Sequence, residues 1–102
     1  MTIEANGEKV VVGFFECLFI SPEAELYDIA VKKEFQRNGF AFLMLNYFEK
    51  LAKENDCHTL LLEVNKINKP AINLYEKAGY LKYNERKNYY GDNDAILMKK
   101  EI

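Results

Sequence analysis

The chain has little with which to bind a metal or to cross-link itself. In 102 residues it holds two cysteines, Cys17 and Cys57, and one histidine, His58. Two thiols with no secretion signal read as reduced structural cysteines rather than as a disulfide. His58 has no second ligand at metal spacing and reads as a surface residue opening a strand, so no metal is expected. No apolar run is long enough to span a bilayer, and the first residues lack the charged-then-apolar layout of a signal peptide. No membrane role is therefore expected, and the default address is cytoplasmic. A formal net charge of −2 with signs mixed throughout leaves no basic footprint for nucleic acid. Repeats, linkers and low-complexity segments are also missing, which makes residues 1–102 one domain. What is present is apolar mass: 49% hydrophobic residues, with seven Phe and seven Tyr, enough for a thin core of two helices on one sheet.

Asn6-Gly7 is the clearest hairpin signal, because both turn positions tolerate positive φ. It predicts a short strand at residues 2–5 joined to a long one from about Lys9 to Ile20. Ser21-Pro22 ends that strand, since proline cannot donate to a ladder. Leu26–Val31 resumes an extended pattern. A helix is expected from near Asn38, where Ala41, Leu45, Phe48 and Ala52 recur at helical spacing. Thr59–Val64 has no polar residue until Glu63 after its first position and suits a central strand buried on both faces. A second helix is bounded by Asn68 as N-cap, Pro70 in the first turn and Gly79 past the end, with Ala71, Leu74, Tyr75 and Ala78 on one face. Tyr80–Glu85 and Ala95–Lys100 read as closing strands. The order β-β-β-α-β-α-β-β implies an α/β or α+β fold, a mixed sheet crossed by two helices.

The segment Gln36-Arg37-Asn38-Gly39-Phe40-Ala41 lies between a strand and a helix. There the first N–H groups of the helix lack intrahelical partners and, with the helix dipole, form an anion site suited to a pyrophosphate. Gly39 lets a ligand approach the backbone and Arg37 adds a charged donor. An ordinary loop with a permissive glycine fits the same spacing. It is neither a Walker loop nor the three-glycine dinucleotide fingerprint. Glu63, flanked by Leu62 and Val64, reads as a carboxylate whose apolar neighbours raise its pKa, or equally as a solvated strand-end residue or a partner for Lys66. Tyr75 on the apolar helix face reads by itself as a core tyrosine. Asp92 and Asp94 read as turn residues, because no downstream glutamate completes a calcium loop.

Gln-x-x-Gly-x-Ala between a strand and an amphipathic helix resembles the signature turn of the GNAT superfamily of acetyltransferases. The resemblance continues through Leu62-Glu63-Val64, Asn68–Tyr80, Arg86-Lys87-Asn88-Tyr89-Tyr90 and Asp94-Ala95-Ile96-Leu97-Met98. Together these segments look like RimI-type enzymes, which acetylate the N-terminal alanine of a ribosomal protein. The resemblance implies acetyl-CoA as cosubstrate and a peptide or protein N-terminus as acceptor. It assigns the pyrophosphate to Arg37, Asn38, Gly39, Phe40, Ala41 and Phe42. It assigns the pantetheine arm to backbone groups of Ile29, Ala30 and Val31 and to Asn68. Glu63 takes the place of the general base and Tyr75 that of the general acid. Tyr89-Tyr90 line an acceptor groove in such enzymes, although packing at a strand end fits equally well. The family's opening strand and two helices find no counterpart, so the expectation is an N-terminally truncated acyl-CoA N-acyltransferase fold. Its uncovered sheet face would favour a homodimer or a segment swap.

Overall fold

The computed structural model describes residues 1–102. Asn6 and Gly7 both take positive φ, 53° and 79°, and join β1 (Thr2–Ala5) to β2 (Glu8–Val11) in a two-stranded antiparallel hairpin. The predicted long strand from Lys9 to Ile20 is in fact two, β2 and β3 (Gly13–Ile20), in different sheets. Val12, fully buried, is the junction: its N–H donates to Met1 at 3.0 Å and its carbonyl accepts from Lys32 N–H at 2.7 Å. Gly13 makes the break possible. A Cβ there would strike the carbonyl oxygen of Ala30 and sit 3.1 Å from Val31 Cα.

The main sheet adds β4 (Glu23–Val31), β5 (Thr59–Asn65), β6 (Leu81–Tyr90) and β7 (Asn93–Glu101), in the order β3-β4-β5-β7-β6. Only β4 and β5 run parallel, which requires the crossover through α1 (Phe40–Glu54). The shorter α2 (Lys69–Lys77) links β5 to β6. The mixed, mostly antiparallel sheet with two helices agrees with the expectation.

Register decides which side chains meet the helices. Phe15, Cys17 and Phe19 face α1, where Phe15 and Phe19 lie 6.2 and 6.1 Å from the Phe48 ring. Ala24, Leu26, Leu60, Leu62, Val64, Ile96 and Met98 continue that layer, and Tyr75 closes it from α2. Cys57 is buried at its edge, and both thiols are unpaired. The expectation that β5 is buried on both faces fails: its residues alternate between buried and half-buried. Both helices pack on one face, so Leu61 and Glu63 on the other have no layer above them. On that open face Phe14, Leu18 and Ile20 are 43–66% exposed.

Two features tie the helices down. Asn68 Oδ1 accepts from Ala71 N–H at 3.2 Å as the N-cap, and Gly79 at φ 97° lets Tyr80 N–H close on Tyr75 O at 2.9 Å. Across the layers, Lys100 Nζ meets Glu49 Oε1 at 2.9 Å, while Tyr80 donates its hydroxyl to Glu49 Oε2 at 3.2 Å. Replacing Gly13 by Ala should lower stability by about 1–3 kcal/mol through overpacking. A urea titration should show the midpoint falling with the slope unchanged.

Candidate active site

The β4 and β5 strands are hydrogen-bonded for four pairs only, from Glu23↔Thr59 to Leu26↔Leu62. Beyond these, β4 continues to Val31 and β5 to Asn65 without pairing to each other. The parting begins at a bulge, where β4 fits Tyr27 between the partners of Glu16 and Cys17. A bulge adds local twist and bends its strand, so β4 is carried away from β5 at that point. The result is a cleft of about 810 Å³ between the two strands.

The N-terminus of α1 forms one end of it. Gln36 Nε2 donates to Val31 O at 3.0 Å and pins the loop to the end of β4. Arg37 and Gly39 take positive φ, 65° and 79°, and Gly39 caps the helix without a side-chain hydrogen bond. The first turn-to-helix bond is Leu43 N–H to Gly39 O, so the N–H groups of Phe40, Ala41 and Phe42 precede the intrahelical ladder. Gly39 is needed for its φ: a Cβ there would meet nothing within 4 Å. The helix starts at Phe40, later than the expected Asn38, because Asn38 turns its side chain back onto Phe35 O and Gln36 O.

Of the residues singled out in the sequence, Ile29, Val31, Arg37, Gly39, Phe40, Ala41, Phe42, Glu63, Asn68 and Tyr75 line this one cleft. Ala30 and Asn38 do not. Ala30 pairs with Phe14 and so faces the open side of the sheet. Asn68 Oδ1 is committed to its cap, which leaves the Nδ2 side of the amide for the cleft. Residues that the sequence did not mark also line it, among them Tyr27, Asp28 and Phe35. Tyr27 and Asp28 carried no signal, because a bulge depends on pairing with another strand.

Glu63 is placed differently from its apolar sequence neighbours. It pairs with Leu97 on the open face, and its carboxylate meets Arg86 Nη1 at 3.2 Å with the side chain 22% exposed. Lys66, its alternative partner by sequence, bonds Glu85 instead at 3.1 Å. Tyr75 is 6% exposed, and its hydroxyl pKa is pushed up to about 12, first by burial and then by Asp28 and Tyr90. It is therefore a core tyrosine that also reaches the cleft, whereas Tyr80 is wholly internal.

A second cavity of about 400 Å³ adjoins the first from the open side. It is lined by Glu25, Leu26, Tyr27, Glu63, Arg86, Tyr89 and Tyr90, and it shares Tyr27, Glu63 and Tyr90 with the cleft. Tyr89 and Tyr90 are thus wall residues, with ring centroids 5.1 Å apart and Arg86 5.4 Å from the Tyr89 ring. The strand carrying them runs to Tyr90, past the expected end at Glu85.

Residues 1–80 match the model of the acetyltransferase (GNAT) family. The chain belongs to the GNAT acetyltransferase family. It is 40% identical over 96% of its length to the ribosomal protein bS18-alanine N-acetyltransferase of Salmonella typhimurium. It matches the crystal structure of the ribosomal-protein-S18-alanine N-acetyltransferase from Escherichia coli with a TM-score of 0.84 at 33% identity over 97% of the chain. A GNAT acetyltransferase from Elizabethkingia anophelis, solved with acetyl-CoA bound, shares the fold with a TM-score of 0.86 at 23% identity. The chain spans 69% of the Salmonella relative and 65% of the Escherichia coli structure. No helix of this GNAT domain is long and apolar enough to cross a membrane.

The raised Tyr75 pKa has a measurable sign. Folding favours the neutral phenol, so its contribution to stability is complete below the ordinary tyrosine value of about 10. That contribution is lost as pH rises through about 12. Phenolate absorbance, taken as wild type minus Tyr75→Phe, should show a midpoint near pH 12. A midpoint near 10 would mean that water reaches the hydroxyl freely.

Proposed function

We propose that this GNAT domain binds acetyl-CoA in the cleft between β4 and β5 and transfers the acetyl group to the α-amine of a protein N-terminus. One observation carries this reading. The parting of the strands gathers a helix N-terminus, a strand-borne carboxylate and a buried tyrosine around one cavity. The free N–H groups at Phe40–Phe42, with Arg37 beside them, suit a pyrophosphate. The unpaired edge of β4 at Ile29–Val31 suits the amide-bearing pantetheine arm, which hydrogen-bonds to the edge like an added strand. Asn68 stands across from it on α2. Ala30 would contribute through its main chain, and Asn38 through its place in the turn.

The acceptor amine comes from the open side, through the cavity walled by Tyr89 and Tyr90. An α-amine has a pKa near 8, so a modest base suffices. Glu63, held by Arg86, takes the proton directly or through a water, and the amine nitrogen attacks the thioester carbonyl carbon. A β4 backbone N–H near Ile29–Val31 stabilises the oxyanion. The carbon–sulfur bond then breaks, Tyr75, neutral at physiological pH, supplies the proton that leaves with the thiol, and the second proton lost by the attacking nitrogen restores the phenol. No cysteine takes part: Cys57 is buried against the Glu23 carbonyl, and Cys17 faces α1. The names of the relatives favour the N-terminal alanine of ribosomal protein bS18 as the acceptor.

Incubation with acetyl-CoA and an alanine-initiated peptide, read by mass spectrometry, should show one acetyl group on the α-amine. Acetylation of lysine or small amines alone would shift the acceptor class, and CoA retention without transfer would make the domain a binding module. Replacing Glu63 by Gln should lower kcat by about 10²-fold, most at low pH where the amine is protonated. Replacing Tyr75 by Phe should slow turnover with CoA affinity unchanged, and a matching loss of CoA affinity would assign Tyr75 to packing.

We also assign the open face, with Phe14, Leu18 and Ile20 exposed, to contact with a second copy of the chain. Sedimentation equilibrium over a range of concentrations should detect self-association, and a monomer throughout would remove this assignment.

A further inference from the structure

Neighbouring residues of a regular strand point to opposite faces of the sheet. Tyr89 and Tyr90 are neighbours on β6, yet both line the second cavity. The ladder explains this. Arg86 pairs with Ala95 and Tyr90 with Asn93, so Lys87, Asn88 and Tyr89 stand opposite Asp94 alone. This irregularity breaks the alternation and turns both rings to one side.

A bulge that holds extra residues leaves main-chain groups without ladder partners. Here the Asp94 side chain supplies one. Its Oδ1 accepts from Asn88 N–H at 2.9 Å, while Oδ2 accepts from Lys87 Nζ at 3.2 Å. Asn88 takes φ 54°, a left-handed conformation that asparagine tolerates better than most residues. The main chain of Asp94 is engaged as well: its carbonyl accepts from Lys66 N–H at 2.9 Å, in the loop ahead of α2. One residue therefore joins the bulge of β6, the start of β7 and the segment leading into α2. Its side chain is 16% exposed and touches neither cavity.

We propose that Asp94 is a positioning residue for acceptor binding: by capping the β6 bulge it holds Tyr89 and Tyr90 as one wall of the cavity beside Glu63. The inference rests on reading that cavity as the acceptor entry, and its consequence is selective. The CoA-facing parts of the cleft, on α1 and β4, are tied by other bonds, so loss of Asp94 loosens the acceptor wall and leaves the coenzyme end alone. Asparagine retains an oxygen for Asn88 N–H but turns an amide donor toward Lys87, and alanine removes both bonds.

The test uses the full chain with Asp94→Ala and Asp94→Asn. For Asp94→Ala the peptide KM should rise about tenfold, the order of one hydrogen bond to a charged group, with CoA affinity unchanged. Asp94→Asn should fall between it and the wild type. A fall in CoA affinity parallel to the rise in KM, or an unchanged KM, would overturn the proposal.

A second readout does not depend on transfer. The Asn88 N–H bond does most to hold the Asp94 carboxyl below the usual carboxylate range, and the facing Lys87 and Lys66 add to it. Glu85 shares both lysines with it. The stapled form exists above that range and is lost as pH falls. In an NMR titration the Asn88 amide and the Tyr89 and Tyr90 ring signals should move together, with one midpoint below that of an ordinary aspartate. Rings that stay fixed while the Asn88 amide titrates would sink the staple, even if the wild type acetylates peptides. Rings that move in a chain that acetylates nothing would leave the staple standing and remove the acceptor reading instead.

Discussion

Four backbone pairs hold β4 to β5, and their ending after Leu26↔Leu62 organises the rest of the molecule. A parallel pair in mid-sheet would ordinarily continue to the ends of both strands, because an unpaired N–H or carbonyl in a packed interior is costly. Here the outer edges stay satisfied, by β3 on one side and β7 on the other, and only the inner edges are left open. The bulge at Tyr27 sets where the parting starts. Helix α1 follows β4 and α2 follows β5, so the helix N-termini arrive at the end of the sheet where the strands have separated.

The same geometry makes the sheet permeable at one point. A side chain on a continuous sheet belongs to one face, but Glu63, Tyr27 and Tyr90 border both the helix-side cleft and the open-side cavity. The proposed direct transfer would use this arrangement, with donor and acceptor entering from opposite sides and held in reach of each other at the reacting atoms. The ion pair to Arg86 and the tyrosine wall belong to the open side, whereas the free helix N–H groups and Tyr75 belong to the other. The roles proposed for them divide according to which strand and which face each residue occupies.

Local chemistry leaves local marks, and those marks were readable. Asn6-Gly7 announced a hairpin because both positions need positive φ, and Asn68, Pro70 and Gly79 bracketed α2 because capping uses residues within a turn of the helix end. The glycine turn before α1 was legible as a turn for the same reason, but its coenzyme role and those of Glu63 and Tyr75 came only from the family resemblance. By its own chemistry Glu63 left its role open, and Tyr75 read as a core residue. The break at Val12 was not. It rests on contacts to Met1 and Lys32, distant in sequence, and on Gly13 meeting Ala30 across the ladder. Asp94 looked like a turn residue because nothing in its own segment shows that it completes a bulge on the preceding strand.

By itself, then, the order of residues determined the element types and the end points set by Gly, Pro and Asn. Those depend on φ preference, side-chain period and capping, which act over a few residues. The tertiary structure alone decided where β4 leaves β5, which face Glu63 occupies, that Arg86 rather than Lys66 meets it, and that Tyr89 and Tyr90 share a wall. Each of these is a matter of register between strands far apart in the chain, and register is set only when both partners are in place.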